Sequence, residues 1–146
     1  MKTKLTLAAL VLCTLLSAQK KKNGTIYIEH PAMDVVEQFN SAFVSGDIEK
    51  IKSLVSDDFS WRNSTMRDKP GTLKQLLGRS NYLSNNIVNF EIKHYGGSYP
   101  DAFEYEKDNV LDVKTYTWMT GYDKNTGVTL NMPRYANFRV EENGKI

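Results

Sequence analysis

His94, Asp57 and Asp58 are the side chains in this sequence best suited to move protons. An imidazole titrates near neutrality, and a carboxylate whose surroundings raise its pKa can give or take a proton. His94 ends the stretch "IVNFEIKH", on the same side of an alternating run as Val88, Phe90 and Ile92. It is therefore either a general base or a packed rim histidine. Asp57 and Asp58 stand where a helical pattern gives way to an alternating one, and read as acid/base groups or as the turn itself. His30 precedes Pro31 and suits a helix start. Two histidines so far apart have no metal-ligand spacing, so no metal and no cofactor are expected. The sequence carries no glycine-rich phosphate loop and no nucleophile–base motif. Asn23-Gly24-Thr25 and Asn63-Ser64-Thr65 match a glycosylation sequon. Neither is read as modified, because the leader has a bacterial cast and Asn63 is expected on a strand.

The chain has 146 residues, one domain's worth. Lys2 and Lys4 precede an apolar run over residues 5–16, too short to span a bilayer. Residues 1–18 are thus predicted to be a signal peptide cut after Ala18, although Leu16 fits poorly at the third position before that cut. Cys13 is the one cysteine, and Leu12 before it is too large for a lipidation site. It reads as a passenger of the leader, with no membrane anchor. The mature chain then has no thiol and no disulfide, and its core must supply its stability. Charge changes with cleavage. The whole chain has 19 basic and 17 acidic residues, and loss of Lys2 and Lys4 leaves 17 against 17. Lys20, Lys21 and Lys22 open a segment, residues 19–30, read as flexible and basic. From Asn23 onward the body carries 14 basic against 17 acidic residues, which offers nucleic acid no basic surface.

The elements that must hold these groups follow from periodicity. Val36, Phe39 and Phe43, with Val35 and Ala42 beside them, recur at helical spacing behind Pro31. Gly46 suits a left-handed helix end, and Asp47 caps a second helix with Ile48, Ile51, Leu54 and Val55 on its stripe. Phe59, Trp61 and Asn63 alternate as a short strand. Thr72 and Gln75 form a capping box for a third helix bearing Leu73, Leu76 and Leu77. Strands are expected through Val88, Phe90, Ile92 and His94, over residues 110–122 and over 128–140, the last two joined by "DKNTG". "ENGK" is a further hairpin signal. Tyr116 and Trp118 share a face that is either pocket or dimer surface. Three helices followed by long antiparallel strands make an α+β domain over residues 31–146.

The "SGD" helix break, the "LVSDDFSW" entry to a strand, the third helix after a Pro-Gly loop and the closing "FRVEENGKI" together resemble the nuclear transport factor 2-like superfamily. That group includes ketosteroid isomerase and the SnoaL-like polyketide cyclases. The resemblance implies a cone-shaped fold, three N-terminal helices packed on a curved, mainly antiparallel sheet around a pocket. It also implies a last strand beginning at "GKI", where this sequence stops at Ile146, and hence an unpaired edge. Ketosteroid isomerase uses a carboxylate base with a tyrosine and a protonated aspartic acid on the oxyanion. Gapless matching puts those roles on Asn63, Phe39 and Ala136, none of which can perform them. The same match implies a ligand-binding set of Phe39, Phe43, Trp61, Asn63, Arg134, Ala136 and Phe138. The three phenylalanines read equally as ordinary core.

The expectation is a secreted or periplasmic domain that binds a small apolar or aromatic molecule without catalysis. One alternative is a SnoaL-like acid/base enzyme of isomerase, cyclase or dehydratase type, using His94 or Asp58. Another is a module that forms a homodimer through its sheet. A polar dyad in the pocket favours the enzyme, an open apolar cavity favours binding, and a filled pocket favours the module. The leader makes a direct prediction. Intact-mass measurement of protein from the native host should find a chain beginning near Gln19 without lipid; retention of Met1 in the mature protein would contradict export.

Overall fold

The computed structural model describes residues 22–66, 68–97 and 99–146. The expected signal peptide lies outside them. Helix α1 runs Pro31–Ser45, α2 Ile48–Leu54 and α3 Leu73–Asn86. The strands are β1 (Gly24–Tyr27), β2 (Ser60–Trp61), β3 (Gly71–Thr72), β4 (Ile87–His94), β5 (Asp101–Tyr105), β6 (Val110–Asp123) and β7 (Thr129–Val140). The three helices pack on one face of an antiparallel sheet, an α+β architecture.

Local chemistry sets the helix ends. His30 Nδ1 accepts from the Ala32 N–H, and Pro31 opens α1. Gly46 ends it at φ 74°, and the Asp47 carboxylate at once accepts from the Lys50 N–H at 2.9 Å. Thr72 and Gln75 form the expected capping box on α3. Ser80, fully buried on α3, donates to the Phe43 carbonyl at 2.8 Å and ties α3 to the end of α1.

Strand β6 is the spine of the sheet. Its first half pairs with β5, its second half with β4, and β7 runs along its other side from Leu111↔Val140 to Tyr122↔Thr129. Val113, Thr115, Thr117 and Met119 face the helices and are buried. Tyr116 and Trp118 therefore face outward, away from any pocket beneath the helices.

Four sequence expectations are corrected. Residues 24–27, read as part of a flexible lead, form β1 and pair with β5 from Gly24↔Tyr105 to Tyr27↔Ala102. Strand β5 was not expected at all. The strand through Phe59, Trp61 and Asn63 is only Ser60–Trp61, because Asn63 turns the chain. Its Oδ1 accepts from the Thr65 and Met66 N–H groups and from the Thr65 hydroxyl. Finally, Val88 does not share a face with Phe90. A bulge between Val88 and Glu91, with Asn89 at φ 54°, turns Val88 outward and leaves Ile87, Phe90 and Ile92 against the core. Ile146 is itself paired: its N–H donates to the Leu54 carbonyl and its carbonyl accepts from the Ser56 N–H, both at 2.9 Å.

The core is aromatic at its centre. Phe39 stacks on Phe43 at 6.5 Å and meets Phe138 edge-on at 5.7 Å, with Phe59 at 6.4 Å. Phe39→Ala is expected to cost about 3–5 kcal/mol in urea unfolding, the penalty of a cavity in a closed core. Gly46→Val should cost at least about 1 kcal/mol for the left-handed backbone. A Cβ there would also sit 2.3 Å from the Ser84 hydroxyl oxygen. An unchanged denaturant midpoint for either variant would contradict the packing described.

Candidate functional site

The inner face of the sheet is not uniformly apolar. The registers His94↔Thr117 and Thr117↔Arg134 set three polar residues in one row across β4, β6 and β7. Neighbouring strands are ~4.8 Å apart, so the His94 and Arg134 backbones lie about 10 Å apart. Helix α1 crosses above this row. Glu37 and Asn40, three positions apart on α1, share one side of the helix. The Glu37 carboxylate meets His94 Nε2 at 2.9 Å, and Asn40 Oδ1 accepts from Arg134 Nη1 at 3.2 Å. The Thr117 hydroxyl donates to the Arg134 carbonyl at 3.3 Å.

The site is graded from rim to interior. His94 is 30 % exposed and Glu37 47 %, so their pair sits at the rim. Asn40 and Thr117 are buried. Two buried atoms have no partner among the described residues, His94 Nδ1 and the Thr115 hydroxyl. An ionised carboxylate only accepts, so Glu37 directs the imidazole proton to Nε2 and leaves the Nδ1 lone pair inward. Arg134 lies under the ring of Phe138, its guanidinium carbon 5.5 Å from the centroid. Burial, with a smaller contribution from the charge of Arg79, pushes its pKa down to about 10.

The residues named from sequence divide into three groups. Arg134, Ala136 and Phe138 lie on the inner face of β7, two residues apart in turn. Phe39, Phe43 and Phe138 are buried, with Phe39 packed against each of the other two. Trp61 is held at the helix side. Its indole N–H donates to the Thr72 carbonyl at 3.1 Å, and its ring lies where a Cβ on Gly71 would come within 2.4 Å. The Arg79 guanidinium stands 6.0 Å from that ring. Asn63 is exposed in its turn and departs from the expected set. Asp57 and Asp58 are exposed in the turn after α2, so Asp58 is placed as the turn residue rather than beside His94. Sequence reading missed Glu37 and Asn40. Their only signal was polar residues at i and i+3 next to the apolar stripe of α1.

The outer face is different in kind. Tyr116 and Tyr135 lie 5.1 Å apart, and Tyr95 lies 5.6 Å from Trp118. Lys114 stands 3.9 Å over Phe103. An open surface concavity of about 410 Å³ lies six residues along β6 from the polar row, lined by Glu104, Glu141, Glu142 and Arg139 among others. It contains none of the groups named above.

No family model and no curated protein matches the chain. Among solved structures it is similar to a hypothetical protein with a ketosteroid isomerase-like fold from Catenulispora acidiphila, crystallised in complex with trimethylamine. The identity is 14 %, the TM-score 0.55, and the match covers 75 % of this chain and 77 % of that one. It also matches proposed polyketide cyclases from Xanthomonas campestris (13 %, TM-score 0.47, 79 % and 84 % covered) and Pseudomonas putida (15 %, 0.46, 80 % and 86 %). The strand order, the three helices on one sheet face and the first of these likenesses give this chain the ketosteroid isomerase-like fold.

Proposed function

We propose that this is an exported small-molecule-binding domain, and that its ligand docks against the inner-face row of His94, Thr117 and Arg134 beneath α1. The observation that carries this reading is unfinished hydrogen bonding in that row and at Thr115 beside it. Buried polar groups in a stable core are almost always paired, yet His94 Nδ1 and the Thr115 hydroxyl have no partner among the described residues. The apolar part of such a ligand would lie against Ala136, Phe138 and Trp61. The solved relative of the same fold was crystallised with a small amine, which is consistent with a fold that receives small molecules.

A second reading is acid/base catalysis by His94, and the Glu37–His94 pair favours it. Glu37 would accept from Nε2 and orient the ring, with Nδ1 as the base. Binding ranks first because the unfilled hydrogen bonds extend to the Thr115 hydroxyl, which is neither acid nor base at neutral pH, while Nε2 of His94 is already engaged by Glu37. Ketosteroid isomerase chemistry has no support. Asn63 is in an exposed turn, Phe39 is packed in the core, and Ala136 offers no donor.

Two measurements decide between these. Native mass spectrometry of protein purified from its host envelope should show a small molecule that is released on unfolding. Its absence, together with no ligand-induced rise in melting temperature across a metabolite panel, would contradict binding. The wild type should not turn over a β,γ-unsaturated 3-ketosteroid above background. Turnover that disappears in His94→Gln would put the enzyme reading first.

A further inference from the structure

Arg134 is a cation without a counter-charge. The ion pairs among the described residues join Lys52 to Glu49, Lys93 to Glu91, His94 to Glu37 and Arg139 to Asp112, and Arg134 is in none of them. A guanidinium has five N–H donors in a flat fork. Asn40 takes one of them, and Phe138 covers a face of the group. Glu37, on the same side of α1 as Asn40, is engaged with His94 instead. Arg79 adds a second positive charge at the Trp61 side.

This arrangement costs stability as it stands. The folded-state pKa of Arg134, about 10, lies below its ordinary value. The folded chain therefore holds that proton less tightly than the unfolded chain does. The cost is present at every pH below about 10 and is relieved only as pH rises through that value. An anion placed on the fork would relieve it at neutral pH. A second, independent observation points the same way. The Thr115 hydroxyl, fully buried and unpaired, belongs to the same face, opposite Ala136 and one inward position along from Arg134.

We infer that the ligand is an organic monocarboxylate, its carboxylate held by the Arg134 guanidinium with Arg79 attracting it from the Trp61 side, and its apolar body against Ala136, Phe138 and Trp61. A single flat fork matches a carboxylate in bidentate geometry, with one charge for one charge. The inference rests on the small-molecule reading above and adds the chemical class.

The test uses 4-fluorobenzoate and its neutral isostere 4-fluorobenzamide, followed by fluorine NMR on the mature chain. Wild type should bind the benzoate at least about tenfold tighter than the benzamide, the scale of a charge-assisted hydrogen bond. Arg134→Gln keeps a donor for Asn40 and removes the charge. It should weaken benzoate at least about tenfold and change benzamide by less than about twofold. Arg139→Gln, at an exposed arginine already paired with Asp112, should change neither. Equal wild-type affinity for the two probes overturns the inference and leaves the small-molecule site standing. So does a benzoate affinity that survives Arg134→Gln. Failure of both probes to bind wild type also overturns the inference, and the small-molecule reading then stands or falls by the native mass spectrum and the metabolite panel.

Discussion

Helix α1 has to bury two unlike stripes against one sheet, and the rest of the fold follows from that demand. Val36, Phe39 and Phe43 need an apolar surface, and Glu37 and Asn40 need polar partners. Both sets occupy the same few turns. The sheet meets them with Phe90 and Phe138 for one stripe and His94 and Arg134 for the other. A slide of α1 by one turn, about 5.4 Å, would strand Asn40 and unpair His94 and Arg134 together. The devices that stop such a slide lie at the end of the helix. Gly46 and Asp47 fold α2 back without a linker, and Ser80 anchors the Phe43 carbonyl to α3. The helical hairpin thus fixes the position of the site as well as the packing of the core.

Much of this was readable from sequence where the chemistry is local. The ends of α1, α2 and α3 depend on side chains that reach only two to four residues, so His30, Gly46, Asp47, Thr72 and Gln75 announce themselves. What could not be read depends on distant partners or on broken periodicity. Strand β1 exists because β5 lies beside it, and its partner for Gly24 is Tyr105. The face of β4 depends on one extra residue at Asn89, and period-two alternation cannot reveal a bulge in advance. Asn63 kept the alternating pattern on paper. Its amide instead competes for the backbone of Thr65 and Met66 and ends the strand early.

The site was legible in halves. His94 stood out because it interrupts an apolar strand face, and Arg134 because the family resemblance put it in the binding set. Glu37 and Asn40 did not, since polar residues beside a helical stripe normally face water. Only the register of three strands under α1 shows that the two halves meet. The gapless match to ketosteroid isomerase put Asn63 on a strand, and the structure puts it in an exposed turn. The same match kept Arg134, Ala136 and Phe138 together because β7 runs unbroken between them.

The two sheet faces differ in how fully their polar groups are matched. The outer face carries many polar and aromatic groups, but they satisfy one another. Asp112 accepts from Asn137 and from Arg139, Lys114 donates to the Tyr105 hydroxyl, and the exposed rings pack in pairs. The inner face is better shielded from water, where an unmatched group is more expensive, and yet among the described residues it holds a cation without an anion and two buried atoms without partners. A sequence under selection for stability alone would have filled that row with apolar side chains, as it did elsewhere along β6 at Val113 and Met119. A local conflict inside a core that is otherwise consistent at every level is the physical mark of a group retained for something other than folding. That argument points to the polar row beneath α1, and within it to Arg134.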